Sequence, residues 1–131
     1  IYLGVQEMAA DEVVKYGIVD PDPGQEGRVR GMVEKPAVTE SPSRLAVFGR
    51  YILPPEIFGS LENISLGKGG ELWLLDAVQD LISQGVSAYY KTIEGGKWYT
   101  TGDPAEYLRA VRAYALARPD LASKLKDVFI K

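Results

Sequence analysis

The sequence has no cysteine and no histidine, and these absences remove much of the familiar catalytic apparatus. No disulfide, thiolate nucleophile, imidazole base or histidine metal ligand is available. Chemistry, if any, falls to carboxylates, lysine, arginine, tyrosine or hydroxyls. No apolar run reaches the length of a helical membrane span, so no membrane partner is expected. The 15 Lys and Arg are scattered among 18 Asp and Glu, for a net charge of -3. Without a basic stripe, nucleic acid is not an expected partner either. No signal peptide is visible, and a cytoplasmic location is expected.

What is present suits a globular domain. At 131 residues, 46% hydrophobic and 25% charged, the chain can bury a core as one domain over 1–131. Ile1 stands inside an apolar run without an initiator methionine, so we expect a piece of a longer parent.

Taken in order, Ile1 to Val5 reads as a buried strand, and Asp11 as the cap of a helical turn. Ile18-Val19 and Arg28 to Val33 flank the turn-rich Asp20-Pro21-Asp22-Pro23-Gly24, which predicts a hairpin with a long tip. Residues 37–43 read as a loop, and Leu45 to Leu53 as a central strand buried on both faces. A short helix follows Pro55. A stronger one is expected to open at Lys68-Gly69-Gly70-Glu71, with Leu72, Leu75, Val78, Leu81 and Ile82 on one face, Glu71 in its first turn and Gly85 at its end. Val86 to Tyr90 and Lys97 to Thr101 read as strands. Asp103, Pro104 and Glu106 form a helix start with a capping box. Tyr107, Leu108, Val111, Tyr114 and Ala115 give that helix an apolar face, and Leu121, Leu125, Val128 and Phe129 mark a last helix.

The stretch with most chemistry is Val33-Glu34-Lys35-Pro36. It sets a carboxylate beside an ammonium where Pro36 must stop a strand and push Lys35 toward extended geometry. A carboxylate accepts from neighbouring sugar hydroxyls, while an ammonium is a compact charge suited to phosphate oxygens. Together they suit a sugar phosphate. A surface ion pair closing a strand is the plain alternative. The hairpin would bring Tyr16-Gly17 close to this pair, where the missing side chain of Gly17 admits a ligand or marks a bulge.

Five segments then stand in a telling order: Tyr16-Gly17, Glu34-Lys35-Pro36, Ala46-Val47-Phe48-Gly49-Arg50-Tyr51, Gly70 to Ala77, and Trp98-Tyr99-Thr100-Thr101-Gly102. In order and spacing the chain resembles the carboxyl-terminal half of the sugar-1-phosphate nucleotidyltransferases, most of all the bacterial and archaeal uridylyltransferases that use glucose 1-phosphate. The resemblance implies an incomplete layered α/β sandwich with a mixed sheet, part of a Rossmann-like fold. It implies uridylyl transfer from UTP to glucose 1-phosphate with Mg²⁺, giving UDP-glucose and pyrophosphate. A thymidylyltransferase of the same superfamily, or a non-catalytic sugar-phosphate-binding or assembly module, is the alternative.

By position the resemblance makes Lys35 the catalytic, phosphate-binding group and Glu34 the binder of sugar hydroxyls. Gly17 and Val47 would give backbone contacts, and Tyr16, Glu71 and Trp98 would line the pocket. For Val47 and Trp98 taken alone, core packing is the better reading. Two departures stand out. The family's glycine-rich nucleotide-phosphate loop belongs to an N-terminal half absent here, so the fragment alone is expected to be inactive and to self-associate or need that half. Thr100 occupies the family's magnesium-binding Asp position; Asp103 is a weak substitute, already explained as a cap.

Overall fold

The computed structural model describes residues 1–125 and 128. It divides into two compact units, Ile1–Glu94 and a second from Gly95 onward. The first carries five strands, β1 (Tyr2–Glu7), β2 (Gly17–Pro21), β3 (Arg28–Glu34), β4 (Leu45–Ile52) and β5 (Ala88–Thr92), and two helices, α1 (Ile57–Asn63) and α2 (Leu74–Ser83). The expected α/β class with a mixed sheet is what forms: β1 runs antiparallel to β4 and parallel to β5.

The sheet closes on itself, although the resemblance implied an incomplete sandwich. Its order is β1-β4-β2-β3-β5, and β5 returns to pair with β1. Closure is light on one side, where only Arg28 and Val29 of β3 meet Tyr89 and Ala88 of β5. Farther along β3, a side chain covers the strand: the Met32 N–H donates to Gln79 Oε1 of α2 at 2.7 Å. Pairing or covering an edge in this way removes a template for aggregation.

The predicted hairpin is β2–β3, with Gly17 opposite Glu34 and Ile18 opposite Val33. Its tip is fixed by Asp22, whose carboxylate accepts the Gly24 N–H at 2.8 Å, as Asx turns do. Alternation along the strands feeds one core of Leu3, Val5, Val19, Val29, Met32 and Val47, closed from outside by Leu75, Val78 and Leu81 of α2. Fully burying such side chains contributes roughly 1.5–3 kcal/mol each before chain entropy is charged against it. A satellite of Val13, Ile18 and Ala46 lies under Tyr16 and Phe48. Ser60, the one buried polar residue among those described, ties α1 to α2 by sharing its hydroxyl proton between the Asp80 carboxylate and the Ala77 carbonyl.

Several expectations are corrected. Asp11 lies inside the 3-10 turn Ala10–Lys15, whose cap position is Ala9. β4 is buried only at Ala46 and Val47, and Ile52 is exposed, because β4 is bulged. Leu3 pairs with Tyr51 but Val5 with Val47, so Phe48, Gly49 and Arg50 face the single residue Gly4. Gly49 makes the excursion at φ 72°, a left-handed value that favours glycine. A Cβ on Gly4 would come within 2.8 Å of the Arg50 Cβ. The bulge therefore needs both glycines.

α2 starts at Leu74, not at Lys68. Gly69 and Gly70 have φ of 83° and 75°, which a right-handed helix cannot include, and Trp73 is the N-cap. Glu71 thus precedes the helix, Leu72 is exposed, and Asp76 holds the first-turn acidic position. The C-terminal end matches expectation: Gly85 has φ 92°, and the Val86 N–H reaches back to the Leu81 carbonyl.

In the second unit, residues 97–101 form no strand. α3 (Pro104–Ala117) begins as predicted, with the Asp103 side chain accepting the Glu106 N–H at 2.9 Å. Its expected apolar face is largely bare: Tyr107, Leu108, Val111 and Tyr114 are exposed, and only Ala110 and Ala115 are buried. The last helix is a short α4 (Pro119–Ala122), while Phe129 lies outside the described residues.

Candidate functional site

The site is built where β3 ends. Glu34 is held by its pairing with Gly17, and the next N–H, that of Lys35, donates to the Tyr16 carbonyl at 3.0 Å. The extended geometry expected for Lys35 is not adopted. It has φ 46° and is the one non-glycine residue with positive φ among those described. The hydrogen bond to Tyr16 and the Pro36 ring fix the chain on both sides of this turn. A left-handed lysine is costly and persists only where its surroundings dictate it. Its effect here is to part the two side chains without breaking the hairpin.

The two heads differ in depth. The Glu34 side chain is 14% exposed and that of Lys35 44%, with 3.8 Å between Oε1 and Nζ. That separation is too long for a hydrogen bond, so the ammonium remains open to another anion. Burial raises the Glu34 carboxyl above its ordinary range; the Lys35 charge opposes this and the Asp76 charge adds to it. Beside it, the Tyr51 hydroxyl is also raised, first by burial and then by the Glu34 charge, against a hydrogen bond with the Gly49 backbone. Tyr51 follows directly after the β4 bulge.

Gly17 is buried, and the space a side chain would need is taken. A Cβ there would lie 1.8 Å from Leu75 Cδ1 and 2.8 Å from Glu34 Oε2. Its lack of a side chain admits α2, which seats Leu75 over the hairpin beside the carboxylate. Tyr16 turns its ring edge-on to Phe48 at 5.2 Å, and its carbonyl accepts the Lys35 N–H. The Val47 side chain is core.

Lys35 opens into a shallow groove of about 430 Å³ lined by Val14, Pro36, Ala37, Gly69, Glu71 and Trp73. Its ammonium lies 5.0 Å from the centre of the Trp73 ring, within reach of a cation–π attraction. The indole Nε1–H donates to Glu71 Oε2 at 2.9 Å. Of the residues singled out from sequence, the first unit thus gathers Tyr16, Gly17, Glu34, Lys35 and Glu71. Trp98 belongs to the second unit, half-buried beside a cavity that Lys97, Tyr99 and Arg109 help to line. Sequence reasoning missed Tyr51, Trp73 and Asp76. Trp73 carried a signal, a tryptophan two residues after Glu71 at the mouth of a helix.

The fit to magnesium is poor. Among the described residues no group of three acidic side chains could hold a metal ion. Thr100 presents a neutral hydroxyl that accepts the Gly102 N–H at 3.2 Å, and the Asp103 carboxylate caps α3. Hard cations require several oxygen ligands, carboxylates foremost.

The chain is 40% identical over 132 residues to the UTP–glucose-1-phosphate uridylyltransferase of Staphylococcus epidermidis, with 98% of this chain and 44% of that protein covered. Among solved structures, a UDP-glucose pyrophosphorylase complexed with UDP-glucose matches with a TM-score of 0.77 at 37% identity, over 89% of this chain and 44% of that one. A UTP-bound UGPase from Acinetobacter baumannii matches with a TM-score of 0.75 at 35% identity, over 99% and 45%. The chain therefore spans less than half the length of the curated relatives it matches. A family model described as nucleotidyl transferase matches residues 4–116. With that match across most of its length, the chain belongs to the nucleotidyl transferase family.

Proposed function

We propose that this chain is the sugar-phosphate side of an enzyme that transfers a uridylyl group from UTP to glucose 1-phosphate, giving UDP-glucose and pyrophosphate. The observation that carries the reading is the Glu34-Lys35 pair, parted by the left-handed turn at Lys35 and fixed by the Tyr16-Gly17 arm. The relatives' names, and the UDP-glucose and UTP held by the two solved structures, favour the same substrates. The reading carries a cytoplasmic location with it, since both substrates are cytoplasmic metabolites.

Attack of a sugar phosphate on a nucleoside triphosphate brings anions together, and that repulsion is a large part of the barrier. Lys35 meets the sugar phosphate as a positioned cation, lowering the cost of approach and holding the attacking oxygen. Glu34, deeper and oriented by β2, accepts from sugar hydroxyls and sets the ring's direction. Val47 enters only as a backbone contributor, and Glu71 through its bond from Trp73. No step is assigned to magnesium, for which these residues do not form a site.

Thr100 and the absence of an acidic triad among the described residues favour a second reading for the chain by itself, a sugar-phosphate-binding module without turnover. The exposed apolar side chains of α3 support association of the isolated chain, which sedimentation would detect. The test of function is pyrophosphate release by the full-length parent from UTP and glucose 1-phosphate with Mg²⁺, with Lys35→Ala and Thr100→Asp in parallel. A loss on the order of a hundredfold in Lys35→Ala is expected, as for other lost electrostatic partners; a rise in Thr100→Asp would show that a metal site of the parent is weakened by the threonine. A folded but inactive parent would leave only the binding module.

A further inference from the structure

Lys35 is a long side chain that must hold its charge at one place, and its contact with Glu34 does not achieve this. The 3.8 Å separation lacks the direction of a hydrogen bond. What lies across the groove is the Trp73 ring, 5.0 Å from Nζ. The indole is itself anchored by Nε1–H to Glu71 Oε2 at 2.9 Å, and its backbone stands at the N-cap of α2. The loop that carries this carboxylate is closed by a backbone hydrogen bond, from the Gly67 N–H to the Glu71 carbonyl at 2.9 Å.

We propose that Trp73 is a positioning residue for Lys35, with its ring face holding the ammonium over the groove and Glu71 fixing the plane of that ring. Glu71 then acts through Trp73 and not by touching the sugar. The functional consequence rests on the sugar-phosphate reading, but the positioning itself does not. A free lysine loses much rotamer freedom on meeting a phosphate; a lysine already held by a ring and a fixed backbone loses less, and the difference goes into affinity. An exposed cation–π contact of this kind corresponds to about two- to fivefold in binding.

The test uses this chain with labelled lysine, in which the Lys35 signals are assigned by their loss in Lys35→Ala. The ε-methylene protons of Lys35 are expected to be shifted upfield by the indole ring current. They should stay upfield in Trp73→Phe, which keeps a ring face, and revert in Trp73→Leu. Glu71→Ala, at an exposed position, should weaken the shift through a loosened indole and serves equally if Trp73→Leu fails to fold. Unshifted Lys35 signals, or signals indifferent to both Trp73→Leu and Glu71→Ala, overturn the proposal. Glucose 1-phosphate affinity measured on the same proteins is expected to fall about two- to fivefold in Trp73→Leu. An affinity unchanged by Lys35→Ala would overturn the sugar-phosphate reading while the Lys35 shifts still decided the role of Trp73.

Discussion

Placing a methyl group on Gly17 tests how the hairpin, α2 and the carboxylate are fitted together. The Cβ of Gly17→Ala would stand 1.8 Å from Leu75 Cδ1, against about 3.5–4.0 Å for an unstrained carbon contact. Leu75 is 7% exposed and part of the core, so it has little freedom to retreat. Overpacking of this order costs about 1–3 kcal/mol, offset by about 0.4–1 kcal/mol from a stiffer unfolded chain. Leu75→Ala alone should cost about 2–5 kcal/mol through lost burial and a cavity. In the double variant the new methyl occupies part of that cavity, so the combined cost should fall short of the sum by about 1–3 kcal/mol. Urea unfolding followed by far-ultraviolet circular dichroism measures all four corners of the cycle. Costs additive to within about 0.5 kcal/mol would refute the account of why residue 17 lacks a side chain. Glucose 1-phosphate binding adds a second readout. Glu34 Oε2 lies 2.8 Å from the same Cβ, and Leu75→Ala does not relieve that clash, so binding should stay weak in the double variant.

The Glu34 carboxyl, raised chiefly by burial, should titrate above the usual glutamate range in carboxyl carbon NMR, still higher in Lys35→Ala and lower in Asp76→Asn. Because its folded-state pKa is the higher one, its contribution to stability is complete below the unfolded value and is lost as pH rises through the folded value; Glu34→Gln should remove that dependence from the unfolding free energy. Gly49→Ala forces an L-residue to φ 72° and should cost about 1–2 kcal/mol in urea unfolding, whereas Gly59→Ala, in the open interior of α1, should gain about 0.5–1 kcal/mol. Asp103→Ala should cost about 1 kcal/mol of helix stability, seen as faster hydrogen exchange at the Glu106 amide that Asp103 now accepts from.

What the sequence made legible was what short-range chemistry decides. The hairpin followed from its turn residues, the start of α3 from Asp103-Pro104-Ala105-Glu106, and the end of α2 from Gly85. The Glu34-Lys35 pair was visible because residue type alone names its chemistry. The start of α2 was misplaced because Gly69 and Gly70 look compatible with a helix opening until their positive φ values are seen. The pattern of β4 read as one continuous buried run because nothing local says that Gly4, forty-five residues from Gly49, makes room for a bulge. Lys35 was expected to be extended from Pro36 alone, yet a carbonyl nineteen residues earlier helps set its backbone. Trp73 lies thirty-eight residues from Lys35, and only the fold puts the ring beneath the ammonium.

Charge also bears on the ligand proposed for this site. Lys35 is the sole cation among the described residues lining the groove, and Glu71 lines it too, while Glu34 and Asp76 lie close enough to feel each other's charge. One ammonium among three carboxylates can offset part of the charge of a sugar monophosphate. A triphosphate makes a larger demand, since its phosphates need several positive charges or metal ions held in line. The acidic surroundings would repel such a ligand unless cations arrived from elsewhere. A sugar whose hydroxyls face Glu34 and whose phosphate faces Lys35 is by contrast matched at both ends. On the proposed reading these carboxylates give the site its direction, with the hydroxyl face toward Glu34 and the phosphate toward Lys35.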